Sequence, residues 1–353
     1  MSVVPSLAEP WSFCEEEEGG TRLRREVDGQ GWSFFHAPEL ADAEPLDLAR
    51  RLFGWRPVRA RRQVVAPLPD GHPGGVYWAT TGEAVLHTDP PPSGVLPPSA
   101  IVMICLSPAS DGGDPLLLDS WRTLEGIEAA DAALFEQLFE TPRRLRFGQL
   151  DHWGTTFSLR RGHFVCLHAT RDHDDDPVAG PFRGWLDRTP TVRLPARKGD
   201  VYVVSNHRCL HGRTPFEDRG RRFERFLFWF AEPFAAPPPF VDRAARARAR
   251  LATELAGEPR WLRRRFGVDD PPVGAAPLER LRAALELLAD PCKTIPLTLK
   301  EDREIARLLD ALLSRGLPGL EEEAPPWDER EERARTVLEG LRRAGARQGG
   351  TPM

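Results

Sequence analysis

The chain has no uninterrupted apolar run approaching the roughly 18 residues that a membrane-spanning helix needs. Its start, MSVVPSLAEPWSFCEEEEGG, has neither the cationic segment nor the apolar stretch of a secretory leader. These absences set the expectation of a cytoplasmic protein without membrane contact. The five cysteines are widely spaced and form no CxxC pair, so neither a disulfide framework nor a structural zinc site is indicated. A basic excess is missing too. The net charge of −5 and pI of about 6.0 argue against nucleic acid as a partner. What is present is globular: 41% hydrophobic residues over a length of 353 suffice for one large domain with an appendage, or for two domains.

Three stretches of different character follow one another. The first 70 residues mix short apolar pieces with EPLDLARRLFGW, whose Leu46, Leu48, Leu52 and Phe53 suit one face of a helix. From there to about residue 235, short β-rich runs (AIVMICL, PLLLDSW, HFVCLHA, VYVVSN, RFLFWF) alternate with Gly, Pro and Asp clusters, the pattern of an antiparallel sandwich or barrel. A helix over about 121–139 interrupts them. After Pro237–Pro239 the composition turns to Arg, Glu, Ala and Leu, with a capping box at Thr298–Glu301 ahead of an amphipathic stripe closed by Gly316. This tail reads as an α-helical extension whose last residues are disordered.

The segment LHTDPPPSG places His87 two residues before Asp89. With nine histidines in the chain, one such pair is expected by chance about every second time. A second pair, His173 and Asp175, does occur, in the polar loop RDHDDDP. Context favours the first: GEAVLHTD suits a strand, and residues two apart on a strand project to the same side, so His87 and Asp89 can serve one ion. VYVVSNHRCLHGRTPF supplies His207 and His211 as candidates for a third ligand. Two histidines and a carboxylate leave three adjacent positions open on Fe(II). A 2-oxo acid can take two of them and O2 the third. The far carboxylate of such an acid needs a planar cationic clamp, for which GRRFERFLFWF offers Arg221, Arg222 and Arg225.

The order HTD, GGDPLLLDSW, NHRCLHGRTPF and then an arginine-bearing aromatic strand resembles the Fe(II)/2-oxoglutarate-dependent TauD/TfdA superfamily, in particular its clavaminate synthase-like branch. The resemblance spans roughly residues 27–235, and NxRxLHGRxxF is its most specific part. It implies a double-stranded β-helix (jelly roll, cupin-like) core, mainly β with helices, over residues 1–239, followed by the helical extension over 240–353. It implies Fe(II), 2-oxoglutarate and O2 as cofactors, with His87, Asp89 and His211 as metal ligands. The 2-oxoglutarate arginine follows the distal histidine by fourteen residues in the clavaminate-like pattern, which lands on Arg225. Taurine-dioxygenase-like spacing of eleven lands on Arg222.

Two positions depart from the family pattern. Pro115 stands after Gly112-Gly113-Asp114 where members usually place a threonine that bonds the distal carboxylate. Trp229 stands where a second arginine often holds the substrate's acid group. Candidate substrate contacts are His168, on a strand near the expected pocket, Trp229, Thr80 ahead of the HTD strand, and Asp172 in an acidic stretch able to attract a cationic substrate. The expected activity is hydroxylation of an unactivated C–H bond in a small amino-acid-like or natural-product substrate. Desaturation, cyclisation or a catalytically idle scaffold are the alternatives. The tail could shape the pocket mouth, form a homodimer contact, or dock a carrier-bound or peptide substrate.

Overall fold

Strands form where β-branched and aromatic residues alternate between two faces that are both covered. The computed structural model describes residues 6–13, 17–55, 57–67, 81–90, 96–147, 150–169, 176–259, 262–263, 266–268 and 336–337. Within these, six strands build one sheet in the spatial order Trp11–Ser12, Trp32–His36, Asp200–Ser205, Ala100–Ser107, Arg222–Trp229, Arg59–Val65. Five build a second: Ser6–Leu7, Val192–Arg193, Pro115–Asp119, Cys209–Arg213, Ala84–His87. Two hairpins stand apart, Arg143–Phe147 with Leu150–Gly154 and Phe157–Arg160 with His163–Cys166.

The double-stranded β-helix expected from the resemblance is not what these sheets form. Both are open: no pairing among the described residues joins the first strand of either sheet to its last. Parallel pairs sit at two edges, Ser6–Leu7 on Val192–Arg193 and Trp11–Ser12 on Trp32–His36. The architecture is mixed α/β with two multi-stranded sheets. Alternating strand patterns specify which face of a strand is buried, but whether the edge strands meet is set by how the sheets pack.

The sheets face each other across one apolar layer. Ile101, Met103, Val204, Phe223 and Leu227 come from the larger sheet, and Leu117 and Cys209 from the smaller. Two helices, Glu17–Gln30 and Pro45–Phe53, cover the outer face of the six-stranded sheet through Leu23, Val27, Leu48 and Leu52. The second corresponds to the EPLDLARRLFGW segment. Pro45 opens it at a position that needs no N–H, and Gly54 closes it at φ 67°, the left-handed conformation that glycine tolerates.

The outer face of the smaller sheet, with Leu118 and Leu210, packs against Ser120–Ala130, Ala132–Glu140, Ala179–Leu186 and Pro238–Glu254. The single helix expected over about 121–139 is two, because Asp131 leaves helical geometry and caps the second through a 3.0 Å bond from the Leu134 N–H. The Thr298–Glu301 box and the stripe after it lie outside the described residues. No helix among the described residues is long and apolar enough to cross a membrane.

Candidate metal centre

Strand parity builds the site. On Cys209–Arg213, Cys209 packs in the layer between the sheets while Leu210 packs outside it, so His211 and Arg213 also turn inward. His211 lies opposite His87 in the antiparallel pairing of that strand with Ala84–His87. Residue 212 must be glycine for this pairing to form: a Cβ there would stand 2.5 Å from the Ala84 carbonyl oxygen. The ring centroids of His87 and His211 are consequently 4.5 Å apart.

Asp89 follows at the strand end, where Asn206 holds its backbone. The Asn206 side-chain oxygen accepts from the Asp89 N–H at 2.7 Å, while its amide donates to the Pro98 carbonyl at 3.0 Å. That explains the asparagine of NHRCLHGR. The arginine two places on, Arg208, donates two bonds, 3.0 and 2.6 Å, to the buried Asp119 carboxylate that ends PLLLD. Both motif residues support the fold around the site and do not line it. The sequence marked them by their place in the motif but not by role.

His87, Asp89 and His211 bring one ligand atom each to within 4.8 Å of one another. The His211 Nε2 to Asp89 Oδ1 distance is 3.7 Å, inside the roughly 4.2 Å that separates two donors each about 2.1 Å from one divalent ion. The donor chemistry also fits. His87 Nδ1 lies 2.7 Å from the Val85 carbonyl, which takes the Nδ1–H and leaves Nε2 as the nitrogen with a lone pair. Burial pushes the His211 imidazole down to about 4, and pushes His87 well below the usual histidine range, with the His211 charge adding to it. Both rings are therefore neutral donors at physiological pH. Three ligands on one side, two imidazoles and a carboxylate, form the 2-His-1-carboxylate set of Fe(II) oxygenases.

Arg225 closes the opposite wall. It projects inward from Arg222–Trp229, paired with Met103, which in turn pairs with Tyr202. Its guanidinium contacts the Asp89 carboxylate. Arg222, three residues earlier, is exposed. The cavity between the sheets is lined by His87, His211 and Arg225 together with Tyr202, Arg213 and Arg221. Burial lowers both further arginines, Arg213 to about 10 with Arg221 adding to the effect. Tyr202 and Arg213 had no signal beyond membership of a strand and a motif.

The remaining candidates fall elsewhere. His207 turns from the cluster: its Nε2 lies 3.2 Å from the Pro97 carbonyl, and its ring sits edge-on to His163 with centroids 5.0 Å apart. His168 is buried beside the ligand strand, where its backbone N–H donates to the Thr88 hydroxyl oxygen at 3.0 Å and its ring meets Phe182 at 5.6 Å. Trp229 is buried under Arg59, 4.7 Å from the ring centre, with its indole N–H donating to the Leu96 carbonyl. Thr80 and Asp172 lie outside the described residues.

A family model described as taurine catabolism dioxygenase TauD, TfdA family matches residues 7–181. The matched span includes His87 and Asp89 and stops before His211. No curated protein gives a significant match. Among solved structures, an asparagine oxygenase in complex with Fe(II), 3-hydroxyasparagine and succinate overlaps at 14% identity and TM-score 0.46, covering 61% of this chain and 78% of that one. The non-heme iron oxygenase OrfP in complex with Fe and alpha-ketoglutaric acid gives 14% and 0.43, covering 61% and 81%. PvcB from Pseudomonas aeruginosa gives 19% and 0.43, covering 63% and 83%. These partial overlaps lend no residue a role. The family model reaches just under half of the chain, and with the three-ligand cluster it supports an Fe(II)/2-oxoglutarate-dependent oxygenase of the TauD/TfdA-like superfamily, whose cofactors are Fe(II), 2-oxoglutarate and O2.

Proposed function

We propose that the enzyme hydroxylates an unactivated C–H bond of a small amino-acid-like or natural-product substrate, and that it belongs to the clavaminate synthase-like branch. One observation carries this reading: strands far apart in sequence are in register at His87 and His211, with Asp89 within ligand distance of both. The NxRxLHGRxxF motif supports the branch, and its asparagine and arginine have defined work in holding the ligand strands. In this reading His87, Asp89 and His211 hold Fe(II), which supplies oxidative decarboxylation of 2-oxoglutarate to succinate and CO2 and the oxidant for the C–H bond.

Arg225 is the arginine that orients 2-oxoglutarate. It is buried and faces the ligands, whereas Arg222 is exposed. A guanidinium fork of this kind binds a carboxylate in one orientation and so fixes the oxo acid against the metal. Residues 1–239 carry this chemistry, and the described start of the extension is the helix Pro238–Glu254.

The test is release of succinate from 2-oxoglutarate by purified protein supplied with Fe(II) and ascorbate. Slow release is expected without substrate, and His211→Ala should abolish it. Release that His211→Ala leaves intact would sink the assignment.

A further inference from the structure

The two segments that carry the metal ligands are tied together by a third. Cys166 to His168 runs on from the strand His163–Cys166 and reaches both. The Cys166 N–H donates to the His207 carbonyl at 2.8 Å, in the turn that leads into Cys209–Arg213. Two residues on, His168 meets Thr88, which stands between His87 and Asp89. In the middle, the Leu167 N–H donates to the Thr156 carbonyl at 2.8 Å. Thr156 is held in turn by the buried Arg143, whose Nη1 donates to its hydroxyl at 2.7 Å. The segment is a splint, fastened at its centre to the body of the protein and at its ends to the ligand segments.

Thr88 makes three hydrogen bonds with one residue. Its N–H donates to the His168 carbonyl at 3.0 Å, its hydroxyl donates to the same carbonyl at 3.3 Å, and the hydroxyl oxygen accepts the His168 N–H at 3.0 Å. In a regular ladder that N–H goes to a backbone carbonyl. Here a side chain takes it. Thr88 is 0% exposed, so water cannot stand in for the hydroxyl. Alternation along the chain sends His87 and Asp89 towards the metal and Thr88 away from it. The residue is therefore no ligand, but it sets the backbone from which both ligands project. The need is greatest at Asp89, because Pro90 follows it and has no N–H with which a ladder could continue. Asn206 holds the Asp89 N–H, and Thr88 holds the other flank.

We propose that Thr88 is a positioning residue of the metal centre, whose hydroxyl, closed on the His168 backbone, fixes how His87 and Asp89 are presented to the ion. This rests on the oxygenase reading and deepens it. Its consequence is that a side chain of the same shape without the hydroxyl costs metal affinity and not stability alone.

Anaerobic metal binding separates positioning from a general role in folding. The Kd for Fe(II) is measured on the full-length chain by competition with a chromogenic chelator, and the visible d–d bands of the Co(II)-loaded chain report ligand geometry. Thr88→Val keeps the shape and loses the hydroxyl. It should raise the Fe(II) Kd about 10- to 100-fold, the range for losing a group that orients metal ligands, and should change the Co(II) bands. Thr88→Ser restores the hydroxyl and should stay within about threefold of wild type, since it gives up only the stiffness of the β-branch. Ser33→Ala is the comparison for stability alone. That hydroxyl is also buried, bonded to Glu26 at 2.6 Å on the outer face of the larger sheet, and its loss should leave the Fe(II) Kd within about twofold, as expected of a distant site.

A Thr88→Val chain that unfolds more easily yet binds Fe(II) like wild type, or a Ser33→Ala chain that loses as much affinity, overturns the proposal and leaves the oxygenase reading standing. If Thr88→Val does not fold, the smaller Thr88→Ala is read in its place. Failure of both to fold also overturns the proposal, because the hydroxyl then serves the fold and not the ligands. A wild-type chain that binds neither Fe(II) nor Co(II) overturns the oxygenase reading and this proposal with it.

Discussion

Gly212 sits between a metal ligand and a cavity arginine, and its missing side chain decides how closely two strands approach. Gly212→Ala would place a methyl 2.5 Å from the Ala84 carbonyl oxygen, forcing the Ala84–His87 strand away from His211. Fe(II) affinity is expected to fall at least about tenfold, since misplaced ligands lose coordination geometry, with little change in helix content by circular dichroism. Iron affinity equal to wild type would show that the pairing does not set the ligand spacing. Gly113→Ala combines a positive φ with a clash at Arg221. It should cost about 1–3 kcal/mol of stability in chemical denaturation. At this scale the sequence was explicit about the ligands, because HTD and LHGR are short and chemically distinctive. It was silent on Arg213 and Tyr202, whose importance comes only from facing the same cavity.

Elements near the site are held by buried polar groups with defined partners. Arg208 reaches from the turn before Cys209–Arg213 to the Asp119 carboxylate and to the carbonyls of Asp28 and Gly29. Arg208→Ala leaves a buried carboxylate without its cation, and about 3–5 kcal/mol is expected to be lost, measurable in urea. The edge-on pair His163 and His207 behaves in the opposite sense. Burial pushes His163 down to about 4 and His207 down to about 3, while both would titrate near 6.5 when unfolded.

The unfolded chain therefore binds protons that the native one refuses, and stability present above pH 6.5 is lost as the pH falls towards 4. Each histidine contributes a slope of about 1.4 kcal/mol per pH unit in that window. His163→Gln should make the measured slope shallower by about that amount, and an unchanged slope would refute it. Strand and helix positions followed from periodicity, as with AIVMICL and EPLDLARRLFGW. The break at Asp131 did not, because a capping aspartate inside an apolar-periodic run looks like any other polar position until its side chain bonds the Leu134 N–H.

Across the whole molecule, two open sheets pressed together leave a cavity whose walls come from both, and helices seal their outer faces. The tail takes part. Phe240, Ala244 and Ala247 of Pro238–Glu254 are buried in the same cluster as Phe135, Phe139 and Phe164. Phe240→Ala should cost about 3–5 kcal/mol and lower the thermal midpoint, whereas a tail that merely trails from the catalytic unit would show no such loss.

The sequence by itself determined which residues can bind iron and which segments are strands with an inward face. Those properties are local, written in side-chain chemistry and in periods of two and 3.6 residues. Only the tertiary structure decided that the sheets stay open, that His211 pairs with His87, that Arg225 faces the ligands while Arg222 is exposed, and that Arg221 comes to rest against Gly113. Strand parity and sheet packing bring together groups more than a hundred residues apart, and no local pattern in the chain specifies that distance.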